Sequence, residues 1–510
     1  MSGHVFVTCA DLKNLACDAI LVPTDEDLGL TRDWRGWATP PSDPGPLWSS
    51  SGLRAVLGGA PAGDPRDVWF VNVGADYGED TAWFVDGARQ FVEQAVAHLH
   101  AAGRQPPRAK HLLALPAIGT GRGGAAREKG DVLSKLLPRL DGLADCHGVD
   151  IALVARRRDV YSAAQAIRRR HDQSEPWTAE LGSGLVREAK SLGALGEGGE
   201  LVLFIGAGVS MGAGLPSWNQ LLEQLAEKAG VDVGERERLQ KVDALDRARL
   251  IEGRLGGAKL GEQVKTLLSE ARYALAHAML ASLPVLETAT TNYDGLFESA
   301  SEDAGFACAV LPYAPAAAKQ RWLLKLHGCV RHPEDIVLTR DDYLRYPQRR
   351  AALAGIVQAL LVTRHMLFVG FGLKDDTFHR IAYEVRTALA GSQRPAGRAL
   401  GTALLLEADP LLAELWERDL HVVTFSRPNS SPGDSARRLE IFLDLLGMHA
   451  STGHEYLLDD DYEDALTTEE LQLKSALQEM ASRVSERAWS CPAGRRLRRF
   501  LESMGGSVGP

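Results

Sequence analysis

Residues 201–218 read LVLFIGAGVSMGAGLPSW, a short apolar run that leads directly into a glycine-rich turn. The run Leu201–Ile205 has the length and composition of a strand buried on both faces of a sheet. Gly206 and Gly208 allow a tight turn and let the backbone approach a pyrophosphate, whose charge backbone N–H groups can hold. A turn without any function can show the same pattern, so this stretch alone does not establish a nucleotide site.

The sequence after this turn predicts a helical insertion and then a sheet. Ser217 and Gln220 fit a capping box, and Glu, Arg and Leu at helical spacing predict helices over about 217–282. Apolar runs separated in places by helical segments follow, which is typical of a doubly wound, Rossmann-like parallel sheet. The runs cover residues 285–291, 308–312, 323–326, 366–371, 402–406 and 421–425.

Three further polar or glycine clusters follow predicted strands of this unit. Residues 290–294 read TTNYD, residues 325–328 read KLHG, and residues 367–372 read LFVGFG. Each cluster alone has an ordinary structural explanation, such as a helix cap, a core hydrogen bond or a turn. The carboxyl ends of parallel strands meet at one edge, where open α/β sheets bind ligands. The four clusters together therefore predict one ligand site.

This ordered set of motifs resembles the sirtuin superfamily. Sirtuins carry a Gly-Ala-Gly-x-Ser opening, a Thr-x-Asn-x-Asp block, a His-Gly block and a later Gly-x-Ser-type turn. Over about 200–430 this sequence matches the first three blocks closely and has Gly370-Phe371-Gly372 at the fourth. The resemblance implies a sirtuin-like fold that binds NAD.

The departures from the superfamily point to one branch of it. Protein deacylase sirtuins hold zinc with two Cys-x-x-Cys pairs, whereas only Cys329 follows the His-Gly block here until Cys491. A structural zinc needs four ligands, so no metal is expected. Pro216-Ser217-Trp218 replaces the Pro-Asp-Phe-Arg segment, and residues 337–343 read VLTRDDY. This combination resembles the zinc-free sirtuin-like NADases of bacterial antiphage systems.

The resemblance implies roles for the residues of the predicted site. Asn292 would position the ribose or a water, and Asp294 would hold the nicotinamide side. His327 would contact the ribose hydroxyls and act as general base. Trp218 is equally consistent with a pocket wall and with a core tryptophan. The other residues implied to contact NAD are Gly206, Ala207, Gly208, Ser210, Thr291, Gly370 and Gly372.

The first part of the chain predicts a separate α/β domain. Its apolar runs, bounded by Asp, Gly or Pro, alternate with helical spacing. They cover residues 19–22, 68–73, 112–115 and 151–154. We therefore expect an α/β domain over 1–175, a linker over 176–199, the sirtuin-like domain over 200–450, and an acidic, then helical extension over 451–510.

Two motifs of the first domain resemble a diverged macro domain, a fold that binds ADP-ribose. Asp11 precedes DAILV at 18–22, and residues 115–124 read LPAIGTGRGG. The resemblance implies that Asp11 contacts adenine and that a phosphate loop is formed by Gly119, Gly121, Gly123 and Gly124. The acidic stretch PTDED at 23–27 makes hydrolysis there unexpected.

Three interpretations of this domain stay open. It could sense a signal nucleotide derived from ADP-ribose, serve as an inert scaffold for homo-oligomer contacts, or receive a protein trigger from a phage.

Composition limits the remaining possibilities. The formal net charge of −10 disfavours general nucleic acid binding, with Arg168–Arg170 as the best local basic candidate. No stretch reaches 18 apolar residues, so no membrane span is expected. Six scattered cysteines are typical of reduced cytoplasmic thiols.

The functional hypothesis is an NAD glycohydrolase that releases nicotinamide and ADP-ribose and acts in antiviral defence. The two rivals are an NAD-dependent protein deacylase and a non-catalytic module that binds NAD or ADP-ribose.

Overall fold

The structure is a computed structural model that describes residues 2–506 except 44, 46–47, 49–51, 75–79, 122–126, 172–173, 257, 271 and 391–398. It divides into two compact units. The first unit contains residues 1–13, 17–186 and 444–510, and the second contains residues 14–16 and 187–443.

A mixed sheet forms the centre of the first unit, with the strand order β1-β6-β5-β2-β4-β3. All its neighbouring strands are parallel except β3, which pairs antiparallel with β4. The strands are β1 (Val5–Cys9), β2 (Ala19–Thr24), β3 (Ala55–Leu57), β4 (Asp67–Asn72), β5 (Leu112–Pro116) and β6 (Asp150–Ala155).

The four predicted apolar runs are thus strands β2, β4, β5 and β6. Strands β1 and β3 were not predicted, and both lie at sheet edges. Helices pack against the sheet through apolar faces, as Phe91, Ala95 and Leu99 of α1 show. The helices of this part are α1 (Thr81–Ala101), α2 (Lys129–His147), α3 (Arg158–Arg170), α4 (Ser174–Leu181) and α5 (Ser183–Glu197), with a 3-10 turn at Leu12–Asn14.

The predicted linker over 176–199 is largely helical, because most of α4 and all of α5 fall within it. The glycines at 193, 196 and 198–199 indicated a flexible stretch, yet α5 continues to Glu197. Burial of Val186, Ala189 and Leu192 explains why this helix forms despite its glycines.

The second unit is built on a parallel sheet with the order β13-β12-β11-β7-β8-β10-β9. This arrangement confirms the predicted doubly wound, Rossmann-like sheet. Every predicted apolar run became a strand. The strands are β7 (Leu201–Ile205), β8 (Glu287–Thr290), β9 (Cys308–Leu311), β10 (Arg321–Lys325), β11 (His365–Val369), β12 (Gly401–Leu405) and β13 (Leu420–Thr424).

The predicted insertion over 217–282 is helical, and the capping box of Ser217 with Gln220 is present at its first helix. Further helices cover the two faces of the sheet. The helices of this unit are α6 (Ala207–Met211), α7 (Trp218–Lys228), α8 (Val233–Leu239), α9 (Ala244–Leu255), α10 (Ala258–Leu267), α11 (Leu275–Ser282), α12 (Leu296–Asp303), α13 (Arg340–Arg349), α14 (Ala351–Thr363), α15 (Asp376–Ala388) and α16 (Pro410–Trp416), with a 3-10 turn at Pro333–Asp335. A further helix, α17 (Pro432–Ala450), begins in this unit, and its residues from 444 onward belong to the first unit.

Four phenylalanines form an aromatic cluster in the core of the second unit. Their ring centroids lie between 4.6 and 6.1 Å apart in offset or edge-on arrangements. The cluster joins β7 and β11 to α15 and to the loop after β11. Its members are Phe204, Phe368, Phe371 and Phe378. The two loops that follow β7 and β11 therefore rest on a rigid base.

The C-terminal segment, for which the sequence predicts an acidic, then helical extension over 451–510, belongs to the first compact unit. The Tyr462 hydroxyl donates to Asp159 at 3.0 Å, and Lys129 pairs with Asp461 at 2.7 Å. Arg168 pairs with the buried Asp444 at 2.6 Å, so the basic run Arg168–Arg170 anchors protein rather than nucleic acid. The segment contains a 3-10 helix (Asp460–Ala465), α18 (Thr468–Arg483), α19 (Glu486–Ser490) and α20 (Pro492–Glu502).

None of the helices in the described residues is both long and apolar enough to cross a bilayer.

Candidate active site

The candidate site lies where the strand order of the second sheet reverses. From β7 the chain proceeds to β8 on one side, and after β10 it returns to β11 on the other side of β7. Such a switch point leaves a crevice at the carboxyl ends of the strands. A cavity of about 450 Å³ is present there, and its lining comes from the loops after β7, β8, β10 and β11 together with the helical insertion.

Nine of the predicted site residues line this cavity. They are Ala207, Ser210, Trp218, Thr291, Asn292, Asp294, His327, Gly370 and Gly372. Trp218 faces Tyr293 with ring centroids 6.4 Å apart, and both rings line the cavity. Of the two interpretations left open for Trp218, the structure supports the pocket wall.

Gly206 and Gly208 join the loop after β7 to the loop after β11. Their N–H groups donate to the carbonyls of Val369 and Gly370, both at 2.9 Å, so they hold two loops together. A Cβ atom on Gly206 would lie 2.5 Å from the Gly370 oxygen, and Gly370 itself has a φ of +64°. Glycine is required here because the two backbones touch.

Asn292 lines the cavity, and the two ends of its side-chain amide are bonded differently. Its Nδ2 donates to the Gly206 carbonyl and to Ser210 Oγ, both at 3.1 Å. Its backbone N–H donates to Thr290 Oγ1 at 3.0 Å, which fixes the start of the loop after β8. The buried Oδ1 has no hydrogen-bond partner among the described residues. This oxygen is therefore available to accept a hydrogen bond from a ligand or a water.

A buried hydrogen-bond chain determines this amide orientation. His277 Nδ1 accepts from the Ala274 N–H at 3.2 Å, so its Nε2 carries the proton and donates to Ser210 Oγ at 3.3 Å. The Ser210 hydroxyl donates to Asp294 at 2.9 Å, which leaves its oxygen as the acceptor for Asn292. Burial lowers the pKa of His277 to about 4, so this imidazole stays neutral.

Lys325 supports the same loop from below the cavity. Its side chain is only 1% exposed, pairs with Glu298 at 3.0 Å, and donates to the backbone carbonyl of Asp294. Burial works against its charge, but Glu298 and Asp294 raise the pKa of Lys325 above its usual value. The lysine therefore remains charged and holds the loop that carries Asn292 and Asp294.

His327 follows β10 and is also buried. Its Nδ1 lies 3.4 Å from the Tyr343 hydroxyl, which in turn donates to Asp375 at 2.8 Å. Its Nε2 has no hydrogen-bond partner among the described residues and lies 3.6 Å from Asp375 Oδ2. Burial lowers the pKa of His327, an effect that Asp375 opposes and Arg350 reinforces.

Sequence reasoning gave no role to His277, Lys325, Tyr343 or Asp375. The first three lie on regular elements or beside a motif and resemble ordinary core residues. Asp375 does carry a local signal, because it caps α15 by accepting from the Phe378 N–H. That signal explains a helix start but does not predict contact with a histidine 48 residues earlier in the chain.

The predicted sensor residues lie in the first unit. Asp11 follows β1 and pairs with Arg156 at 2.9 Å, while Gly119 and Gly121 follow β5. Gly123 and Gly124 lie outside the described residues.

Cys329 and His332, which have metal-like spacing, are joined by a 2.8 Å backbone hydrogen bond. Among the described residues, no group of three or more His, Cys, Asp and Glu side chains is placed to hold a metal ion.

Comparison with known proteins finds one matching family model and several similar proteins. Residues 287–425 match a family model described as a SIR2-like domain. The chain is 34% identical over 200 residues to NAD(+) hydrolase ThsA of Bacillus cereus (strain MSX-D12), covering 38% of this chain and 41% of that protein. It is 30% identical over 217 residues to NAD(+) hydrolase ThsA of Enterococcus faecium, covering 39% and 42%.

A third relative is Defense-associated sirtuin 2 of Bacillus subtilis, which is 25% identical over 213 residues, covering 40% of this chain and 21% of that protein. The chain thus spans about two-fifths of the length of the two hydrolases and less of the third relative. The matched family model, the parallel sheet and the glycine-linked loops agree with the motifs read from the sequence. Residues 287–425 of the second unit therefore resemble a SIR2-like domain, and the chain is similar to bacterial NAD(+) hydrolases and to a defence-associated sirtuin.

Proposed function

We propose that the second unit is an NAD glycohydrolase that converts NAD and water into ADP-ribose, nicotinamide and a proton. One observation carries this proposal: Asn292 Oδ1 and His327 Nε2 are both buried, lack partners among the described residues, and belong to side chains that line the same cavity. Leaving a buried polar atom unpaired costs about 1–3 kcal/mol. A sugar hydroxyl or a water that fills the cavity would relieve that cost.

The chemistry of the bond explains why these two groups suffice. When the bond between C1′ and the nicotinamide nitrogen breaks, nicotinamide leaves with the electron pair as a neutral ring. Positive charge develops on the ribose, as in other glycoside cleavages. Water then attacks C1′, and its proton passes to His327 Nε2. Asn292 Oδ1 orients the water or a ribose hydroxyl, which lowers the entropy cost of the step.

The charges of the lining suit such a reaction. Asp294, Asp375 and Asp376 place carboxylates around the cavity, and these favour the positive charge that develops on the ribose. Lys374 adds a cation that can meet the diphosphate. We assign the phosphate contacts to Lys374 and to the loop carrying Ala207 and Ser210.

Nicotinamide release by the purified full chain tests the proposal. Wild-type protein is incubated with NAD, alone and with ADP-ribose-derived nucleotides as candidate activators. Asn292→Ala and His327→Ala are each expected to reduce release about 10²–10⁴-fold. Asn219→Ala is the matched control, since Asn219 is an exposed asparagine of the same unit that bonds Arg247.

Absence of release by wild-type protein under every condition would refute the hydrolase. Turnover of an acetyl-lysine peptide with formation of O-acetyl-ADP-ribose would instead support the deacylase alternative.

We further propose that the protein is a cytoplasmic antiphage effector that depletes NAD as a homo-oligomer, and that its first unit senses a nucleotide. The similarity to Defense-associated sirtuin 2 of Bacillus subtilis supports the defence role. Asp11 at the end of β1 and the glycines after β5 support a site for an ADP-ribose-derived signal. Calorimetric titration of the full chain with ADP-ribose and cyclic ADP-ribose tests the sensor, and Asp11→Asn is expected to weaken binding at least tenfold. Equal binding by that variant would exclude Asp11 from the site.

A further inference from the structure

Three side chains from different elements meet at the lining of the cavity. His327 follows β10, Tyr343 belongs to α13, and Asp375 caps α15. The two hydrogen-bond contacts within this group measure 3.4 and 2.8 Å. All three side chains line the cavity, so the group belongs to the proposed site.

The direction of each hydrogen bond follows from the chemistry of the partners. Asp375 is an acceptor when ionised, so the Tyr343 hydroxyl must donate to it. The Tyr343 oxygen can then act only as an acceptor toward His327 Nδ1. Burial beside Asp375 raises the pKa of Tyr343 well above its usual value, so the hydroxyl keeps its proton. The neutral imidazole therefore carries its proton on Nδ1 and has a free lone pair on Nε2.

We infer that Tyr343 and Asp375 are positioning residues for His327: Tyr343 selects the tautomer whose Nε2 faces the cavity as a base, and Asp375 stabilises the imidazolium that forms when Nε2 accepts a proton. Asp375 Oδ2 lies 3.6 Å from Nε2, close enough to pair with the cation yet too far to bond the neutral ring. This inference rests on the proposed hydrolase function, because it assigns His327 its proton.

The other groups facing His327 provide a matched comparison. Tyr346, one turn along α13 from Tyr343, packs edge-on against the imidazole with centroids 6.0 Å apart. Its hydroxyl has no hydrogen-bond partner among the described residues. Arg350 is the nearby cation, and it bonds the Leu326 carbonyl and pairs with Asp335 at 2.7 Å. Tyr346→Phe therefore removes a hydroxyl from the same surroundings and leaves the hydrogen bonds among His327, Tyr343 and Asp375 in place.

The test measures the tautomer and pKa of His327 separately from the reaction. Full-length protein with isotopically labelled histidine is titrated by NMR, and His327→Gln identifies the His327 signals by their loss. Wild-type His327 is expected as the Nδ1–H tautomer. Tyr343→Phe is expected to convert at least half of it to the Nε2–H tautomer. Asp375→Asn, which keeps an N-cap acceptor for α15, is expected to lower the His327 pKa by about one unit, a tenfold change in proton affinity.

Nicotinamide release is then measured across pH for the same proteins. A general base must be neutral, so the acid limb of kcat/KM follows the His327 pKa and moves to lower pH in Asp375→Asn. Tyr343→Phe is expected to reduce kcat 10- to 100-fold with KM changed less than threefold. Tyr346→Phe is expected to change neither the tautomer nor the pH profile.

Three outcomes would overturn the inference: an unchanged tautomer in Tyr343→Phe, an unchanged His327 pKa in Asp375→Asn, or equal effects in Tyr346→Phe. The tautomer and the pKa do not depend on turnover. The wild-type protein could therefore show the expected NMR behaviour and yet release no nicotinamide. That result would contradict the hydrolase function but would agree with the assigned hydrogen bonds among His327, Tyr343 and Asp375.

Discussion

The carboxyl edges of the two sheets differ in how their polar groups are used. In the first unit, Asp11 accepts from the Lys13 N–H and pairs with Arg156, and the Thr24 hydroxyl donates to the Gly29 carbonyl. In the second unit, Asn292 and His327 each keep a buried polar atom without a partner among the described residues. Satisfied groups stabilise a fold, whereas two buried unsatisfied groups that line one cavity are candidates for hydrogen bonds to a ligand or a water. The comparison agrees with the proposed reaction site in the second unit.

The buried lysine of the second unit offers the largest test of this contrast. Lys325→Met leaves Glu298 as an uncompensated buried charge and removes the donor that holds the Asp294 carbonyl. Loss of one partner of a buried ion pair typically costs about 3–5 kcal/mol. Denaturant unfolding should show this loss. Lys265→Met, a change at an exposed lysine of the same unit, should alter stability by less than about 1 kcal/mol.

Acid is expected to destabilise the second unit at a higher pH than the first unit. The folded pKa of His277 is about 4 against 6.5 for the free side chain, so the unfolded chain binds more protons between these values. The second unit therefore loses about 3 kcal/mol as pH falls from 6.5 to 4. In the first unit, Asp444 has its pKa lowered to about 2 from 3.8, so its contribution is lost only below about pH 4.

Limited proteolysis across pH should accordingly detect opening of the second unit first. A His277→Gln variant should remove most of that dependence between pH 6.5 and 4. Simultaneous opening of both units at all pH values would contradict this expectation.

Alanine substitutions at two glycines of the loop after β11 are expected to differ in their effect on stability. Gly370→Ala places a Cβ about 2.5 Å from the Val209 nitrogen and forces alanine into a φ of +64°. Left-handed backbone alone costs about 1–3 kcal/mol for such a residue. Gly372→Ala meets nothing within 4 Å and should be nearly neutral. Thermal unfolding compares the two variants, and equal destabilisation would show that the loops do not need their close approach.

The smallest effect is expected in the first unit. Asp11→Asn weakens an ion pair whose Arg156 side chain is 63% exposed, so stability should fall by less than about 1 kcal/mol. Nicotinamide release by the second unit without any activator should stay unchanged. A large loss of stability would show that Asp11 is a structural residue rather than a candidate ligand contact.

Local pattern was enough to predict the sheet of the second unit and the identity of its site motifs. The apolar runs became strands because a strand buried on both faces needs continuous apolar sequence. The blocks containing Ser210, Asn292, His327 and Gly370 converge because parallel strands end at one edge. Short edge strands such as β3 escaped prediction, since three residues carry too weak a period.

Two organisational features became visible only in three dimensions. The C-terminal segment joins the first unit through contacts such as that of Tyr462 with Asp159, which are 303 residues apart in the chain. The predicted linker is helical because its apolar residues find a packing surface. Neither feature follows from a local period, since the partners are distant in sequence.

By itself the sequence determined which polar groups lie at the carboxyl edge of the second sheet, because residue type and strand position settle which groups reach that edge. Only the tertiary structure decided what state those groups adopt. The free oxygen of Asn292 depends on His277 acting through Ser210, and the free nitrogen of His327 depends on Tyr343 and Asp375. The direction of each hydrogen bond is set by partners on other elements, and the spacing of residues along the chain does not predict which partners these are.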